Sequence, residues 1–229
     1  MSNTQNIANP LGYERIGKLL KRYAVPSIIS LIINSLYNMV DQIFIGQGVG
    51  FLGNGATNII APIATIAIAV STLFGDGLAA FFSLNLGRGE AEKAAKGVGN
   101  AVISGAVISV LYTIFALIFL KPLCLLFGAT ENILPYALGY GRIIVIGFPF
   151  VIIGTIINSS IRTDGSPRYA MFSMMIGAIL NTILDPIFIF VLQWGVEGAA
   201  AATVISQFVG MLCNIAYLFR FKTIRLEKS

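Results

Sequence analysis

The stretch VGNAVISGAVISVLYTIFALIFL, Val98–Leu120, runs its whole length without a charged residue. A bilayer's hydrocarbon core is about 30 Å thick and takes roughly 20 apolar residues of helix to cross. Five further stretches are long and apolar enough as well, each with a single charged residue: Tyr23–Gly46, Ala56–Leu84, Ala137–Ile161, Tyr169–Leu192 and Val196–Phe219. Backbone polar groups in hydrocarbon must be satisfied within the segment, so continuous apolar runs of this length are helices. The sequence therefore predicts an all-α membrane protein with six transmembrane helices. Asp76 interrupts the inner part of the long second stretch, so that span is expected to tilt or to end early.

Composition agrees. Hydrophobic residues make up 56% of the 229-residue chain and charged residues 11%, with a mean hydropathy of +0.84. Soluble domains carry about 25% charged residues, and one charge in about nine cannot form their polar shell. The net charge of +5 lies between apolar spans rather than on a helix face interleaved with exposed aromatics, which argues against nucleic acid as a partner. With no histidine in the chain, histidine proton relays and histidine-bearing metal sites are excluded, and carboxylates must carry any proton chemistry. Cys124 and Cys213 form no CxxC motif and read as packing residues. No segment is long enough to house a separate catalytic domain, so the expectation is a non-enzyme without a cofactor.

Lysine and arginine set the topology. Arg15, Lys18, Lys21 and Arg22 precede the first span; Arg88, Lys93 and Lys96 follow the second; Arg162 and Arg168 follow the fourth; Arg220, Lys222, Arg225 and Lys228 end the chain. The opposite side has only Lys121 and Arg142. Both termini are expected in the cytoplasm of a multi-pass cell-membrane protein. Residues 1–22 read as a cytoplasmic amphipathic segment without a cleavable leader, 23–219 as the six-helix lobe and 220–229 as a basic cytoplasmic tail. Gly12–Lys18 fits most of a phosphate-binding loop, but Leu19 stands where a serine or threonine is needed and no buried strand precedes it.

Ionisable groups within spans are costly and tend to face a cavity or a partner. Asp41 and Asp185 fall at similar depth in the first and fifth spans, whereas Asp76 lies near the inner end of the second. Asn34, Asn38 and Asp41 follow i, i+4, i+7 spacing on one helix face, and Asn181 and Asp185 follow i, i+4 spacing on another. Thr203 of the sixth span is at matching depth, and the small run Ala199–Ala202 allows close helix approach. Two carboxylates, an amide and a hydroxyl can share a proton or hold a sodium ion through oxygen ligands. Interhelical hydrogen bonding alone is the competing reading, and it weighs equally with a substrate-cavity role for Asn34, Asn38 and Asn158. Pro26 removes a helical donor and serves as a hinge or a passive bend, and Pro186 frees a carbonyl about one turn before it.

Five segments carry a family resemblance: YNMVDQIFIG at 37–46, NLGRGE at 85–90, RTDG at 162–165, LNTILDPIFI at 180–189 and GVEGAA at 195–200. Together they resemble the multidrug and toxic compound extrusion (MATE) transporters, along essentially the whole chain. The resemblance implies the N-terminal six-helix lobe of a two-lobe, twelve-helix fold that exchanges organic cations or drugs for protons or sodium. It implies an ion-coupling site at Asp41, Asn181, Asp185 and Thr203, cavity residues at Tyr140 and Asn158, and a bend at Pro26. Beyond the bilayer and a small organic cation, the partner it implies is a second six-helix lobe or a second copy of the chain. The alternatives are a flippase-type relative moving lipid-linked oligosaccharide, or a truncated lobe acting only as an assembly module.

Overall fold

A computed structural model describes residues 15–219, so the expected amphipathic segment before Arg15 and the basic tail 220–229 lie outside the described residues. The elements are α1 (Ile16–Gly48), α2 (Phe51–Gly87), α3 (Ala91–Ile118), α4 (Leu120–Leu126), α5 (Leu134–Thr163), α6 (Pro167–Pro186) and α7 (Gly195–Leu218). A π-helical turn, Ile187–Val191, extends α6. Six helices are long and apolar enough to cross a membrane, counting α6 with its extension. All six expected spans are present.

One expectation changes. The second span does not end early: α2 runs through Asp76 to Gly87. Asp76 sits on an exposed side of the helix, while Gly75 and Leu78 are buried. The carboxylate thus stays outside the core and within electrostatic range of Arg162 on α5, so the helix need not break to accommodate it. A short helix, α4, follows the third span at Leu120–Leu126 and buries Leu120 and Cys124.

The bundle is built around α5. Half of its spanning window is buried, against 17% for α1, α3 and α6. It packs on α2, α3 and α7 through a core that includes Ile60, Ile63, Phe82, Val145, Phe148, Ile152 and Ile156. In lipid such contacts rest on close packing rather than on exclusion of water. Gly141 faces Ile60 and Gly147 faces Val204, positions where an added Cβ would come within 2.6 Å of the facing side chain. By contrast, α1 is peripheral and rests chiefly on α6.

One end of the bundle gathers the start of α1, the α2–α3 turn, the α5–α6 turn and the end of α7. Both turns close by the same hydrogen-bond pattern. Glu90 N–H donates to Asn85 O at 2.9 Å and Gly89 N–H to Leu86 O at 3.0 Å; Ser166 N–H donates to Ile161 O at 3.2 Å and Gly165 N–H to Arg162 O at 3.1 Å. These Schellman turns need a left-handed residue, and Gly89 (φ 78°) and Gly165 (φ 81°) supply it. The quoted segments 85–90 and 162–165 are therefore helix terminators. Tyr217 Oη donates to Asp164 Oδ2 at 2.7 Å and Tyr169 Oη to Cys213 O at 2.9 Å, fastening the end of α7 to the α5–α6 corner.

Candidate ion-coupling site

The side chains of α1 and α6 that meet are decided by helical period. Asp41 and Ile45, four residues apart, are buried on α1, and Asn181 and Asp185, also four apart, on α6. Asp41 is 6% exposed, Asn181 1%, Asp185 0% and Thr203 of α7 8%. The Asp41 and Asp185 carboxyl groups are neighbours, within electrostatic range of one another across the α1–α6 contact.

Asn181 holds the remaining geometry. Its amide donates to Asp185 Oδ1 at 3.1 Å and to Thr203 Oγ1 at 3.3 Å, linking α6 to α7. Close approach of these helices follows from the small residues: Ala199, Ala200 and Ala202 are buried, and a Cβ on Gly198 would come within 2.9 Å of the Phe188 backbone. Pro186 does not end the helix. It lacks an N–H, and the chain continues as the π turn, where Leu192 N–H reaches back to Ile187 O at 2.9 Å. Such turns recur at functional sites.

Three buried oxygens in this cluster have no hydrogen-bond partner: Asp41 Oδ1, Asn181 Oδ1 and Asp185 Oδ2. Leaving a buried acceptor unpaired costs about 1–3 kcal/mol, more for a charged group. Three of them beside the Thr203 hydroxyl form an oxygen set that fits a proton or a sodium ion. Oxygen donors of this kind suit a hard cation rather than a soft transition metal.

The structure divides the sequence-predicted cavity residues. Tyr140, in the second turn of α5, lies within electrostatic range of both Asp41 and Asp185. Asn34 and Asn38 are exposed on α1, and Asn38 Nδ2 donates to the Asn34 carbonyl at 2.7 Å. Asn158 is elsewhere: its amide donates to Ala170 O at 3.1 Å and Ser173 Oγ at 3.2 Å, and its oxygen accepts from Arg162 Nε at 3.1 Å. Ser173 is twelve residues from Asp185 on α6, about 18 Å along the helix at 1.5 Å per residue. Asn158 therefore does not join the acidic cluster, because its polar atoms are committed to joining α5 with the first turns of α6.

Sequence reading missed three neighbours of the pair. Gln42 Nε2 lies 3.5 Å from Asp41 Oδ2, and Thr57 Oγ1 of α2 donates to Gln42 Oε1 at 3.1 Å. Tyr37, one turn before Asp41, lies within electrostatic range of both carboxylates. Helical spacing pointed to Tyr37, whereas Thr57 emerges only from the α1–α2 hairpin.

An all-helical bundle of six membrane-long helices with paired carboxylates at a buried helix contact defines a multi-pass membrane protein. The particular family follows from comparison: the chain belongs to the MatE family, whose model matches residues 26–187. It is 28% identical over 207 residues to the multidrug export protein MepA of Staphylococcus saprophyticus, covering 89% of this chain and 45% of that protein. MepA of Staphylococcus haemolyticus is 29% identical over 209 residues. A MOP superfamily transporter from Pyrococcus furiosus, described as having a binding pocket of reverse polarity that suggests a different function, superposes with a TM-score of 0.89 at 28% identity. That match covers 99% of this chain and 50% of the other. A MATE crystal structure in the bent conformation gives 0.86 at 29% identity, covering 92% of this chain and 47% of the other. The chain spans about half the length of the curated relatives it matches.

Proposed function

We propose that the chain is the ion-coupling lobe of a cation-driven exporter of organic cations, with Asp41, Asn181, Asp185 and Thr203 taking up a proton or a sodium ion. The observation that carries this reading is the set of three unpartnered buried oxygens around a carboxylate pair contributed by two different helices. Binding the ion neutralises charge at the α1–α6 contact, which is the principal contact α1 makes. Its loss or gain therefore biases the position of α1.

Pro26 is the hinge in this mechanism. It is buried within α1 and cannot donate to the Arg22 carbonyl. Ser30 Oγ donates to Pro26 O at 2.8 Å and Ser27 Oγ to Tyr23 O at 2.9 Å, bonds that bend helices slightly. Substrate occupies a cleft completed by a second six-helix lobe, which Asn34 and Asn38 on the exposed side of α1 would face. Movement of α1 then expels it outward.

The test is ion-driven efflux by the chain assembled with a complementary lobe. Asp41→Asn and Asp185→Asn should each abolish coupling while the protein elutes unchanged from a sizing column. Varying sodium at fixed pH identifies the ion. Unchanged coupled efflux in both variants would return the pair to a packing role.

A further inference from the structure

At the end of the bundle away from the basic turns, a cavity of about 300 Å³ opens between α1, α5 and the π turn–α7 corner, lined by Val49, Pro135, Tyr136, Gln193, Trp194 and Glu197. It lies eight residues beyond Asp41 on α1, about 12 Å along the helix at 1.5 Å per residue, and is separate from the carboxylate pair. Trp194 is 55% exposed and Tyr136 38%. One side of the indole packs on Phe188 with ring centroids 5.3 Å apart. Its backbone is fixed by a hydrogen bond to Phe188 O at 3.0 Å, after Gln193 has taken a left-handed conformation at φ 56°. Glu197 leans from α7 over Gly139 of α5, where any Cβ would collide with its carboxylate. It makes no ion pair or hydrogen bond among the described residues.

We infer that this cavity is a second binding site, taking a lipophilic organic cation between the Trp194 and Tyr136 rings with Glu197 as counter-ion. The chemistry is selective on both counts. Indole and phenol faces attract cations through their quadrupoles, most strongly when water is partly excluded. A carboxylate without a partner attracts the same charge and repels anions. An acid in the first turn also favours a helix N-terminus, and tryptophan anchors helices at membrane interfaces, but neither role requires the two to converge with a tyrosine on one cavity. Within the proposed topology the site is at the external mouth, where it would hold cation leaving the cleft; its binding chemistry does not depend on that topology or on ion coupling.

Trp194 is the sole tryptophan of the chain, so its fluorescence reports this cavity. The chain is placed in nanodiscs of zwitterionic lipid and titrated with tetraphenylphosphonium and, separately, with tetraphenylborate, which has the same shape and opposite charge. The expected result is a saturable change with the cation alone, with half-saturation shifted about threefold upward by Glu197→Gln, as loss of one solvent-exposed counter-ion implies. Tyr136→Leu should shift it in the same direction, and Asp41→Asn should leave it in place. Equal responses to both ions, or an unshifted titration in both Glu197→Gln and Tyr136→Leu, would overturn the inference. Abolition of the response by Asp41→Asn would overturn it too, by assigning the cation to the carboxylate pair.

Discussion

Asp41 and Asn158 show how differently a buried polar group is used. Asp41 retains an unpartnered oxygen, whereas every polar atom of Asn158 is engaged with Ala170, Ser173, Asn214 or Arg162. Asn158→Ala is therefore expected to lower stability by about 1–2 kcal/mol, near the upper range for hydrogen bonds between membrane helices. Efflux per folded molecule should not change. Thermal unfolding followed by sizing-column elution, with transport normalised to folded protein, checks both halves. Gln42→Ala should act on coupling instead, since Gln42 connects Asp41 to Thr57 of α2. A weakened ion dependence of efflux at unchanged thermal stability is the expected outcome, and loss of stability with normal ion dependence would contradict it.

At the level of helices, burial separates the scaffold from the moving part. The central helix α5 is enclosed on several sides, while α1 exposes Ile28, Leu31, Ile32, Leu36, Met39 and Ile43. The α6–α7 contact that carries Asn181, Asp185 and Thr203 depends on the missing side chain of Gly198, beside the Phe188 backbone. Gly198→Ala must push α7 off the π turn, because backbone cannot move aside as the end of a side chain can. Overpacking of this kind costs about 1–3 kcal/mol, and ion coupling should fall with it. Gly210→Ala on the same helix meets nothing nearer than Ser173 O at 3.8 Å. It should be neutral or stabilising by up to about 1 kcal/mol, the helix-propensity gain of alanine over glycine. Parallel melting curves of the two variants decide the point.

Across the whole molecule, charge sits at one end. Arg15, Lys18, Lys21, Arg22, Arg88, Lys93, Lys96, Arg162 and Arg168 fall at the end of the bundle where α1 begins and α7 finishes, and Lys121 and Arg142 at the other. The positive-inside rule leads us to propose that this end faces the cytoplasm. A cysteine introduced at Lys18 should resist an impermeant thiol reagent in intact cells, and one at Glu131, beyond α4, should react. The reverse pattern would invert the proposed topology. The half-length match to the relatives carries a second expectation. Liposomes containing this chain alone should show no ion-driven accumulation of a fluorescent cation, and adding a complementary six-helix lobe should restore it. Robust transport by the chain alone would favour a working homodimer.

The six spans were legible in the sequence because membrane insertion is governed by the local sum of side-chain transfer energies, and a run such as Val98–Leu120 needs no knowledge of its neighbours. Asp41, Asn181 and Asp185 were legible because ionisable and polar groups stand out against hydrocarbon and repeat with helical period. Tertiary structure alone decided which polar residues share a site. Asn158 and Asn181 both interrupt apolar spans, yet the antiparallel run of α5 and α6 sends one to the basic end and brings the other to Asp185. Thr57 reaches Gln42 beside Asp41, and Tyr140 comes within electrostatic range of the acidic pair, through an arrangement of helices that sequence spacing does not encode. Continuation of α2 past Asp76 likewise depended on which side of the helix meets the bundle, and Asp76 lies on an exposed side while Gly75 and Leu78 are buried. Transfer energies are additive along the chain, whereas pairing between helices depends on their relative direction, rotation and depth.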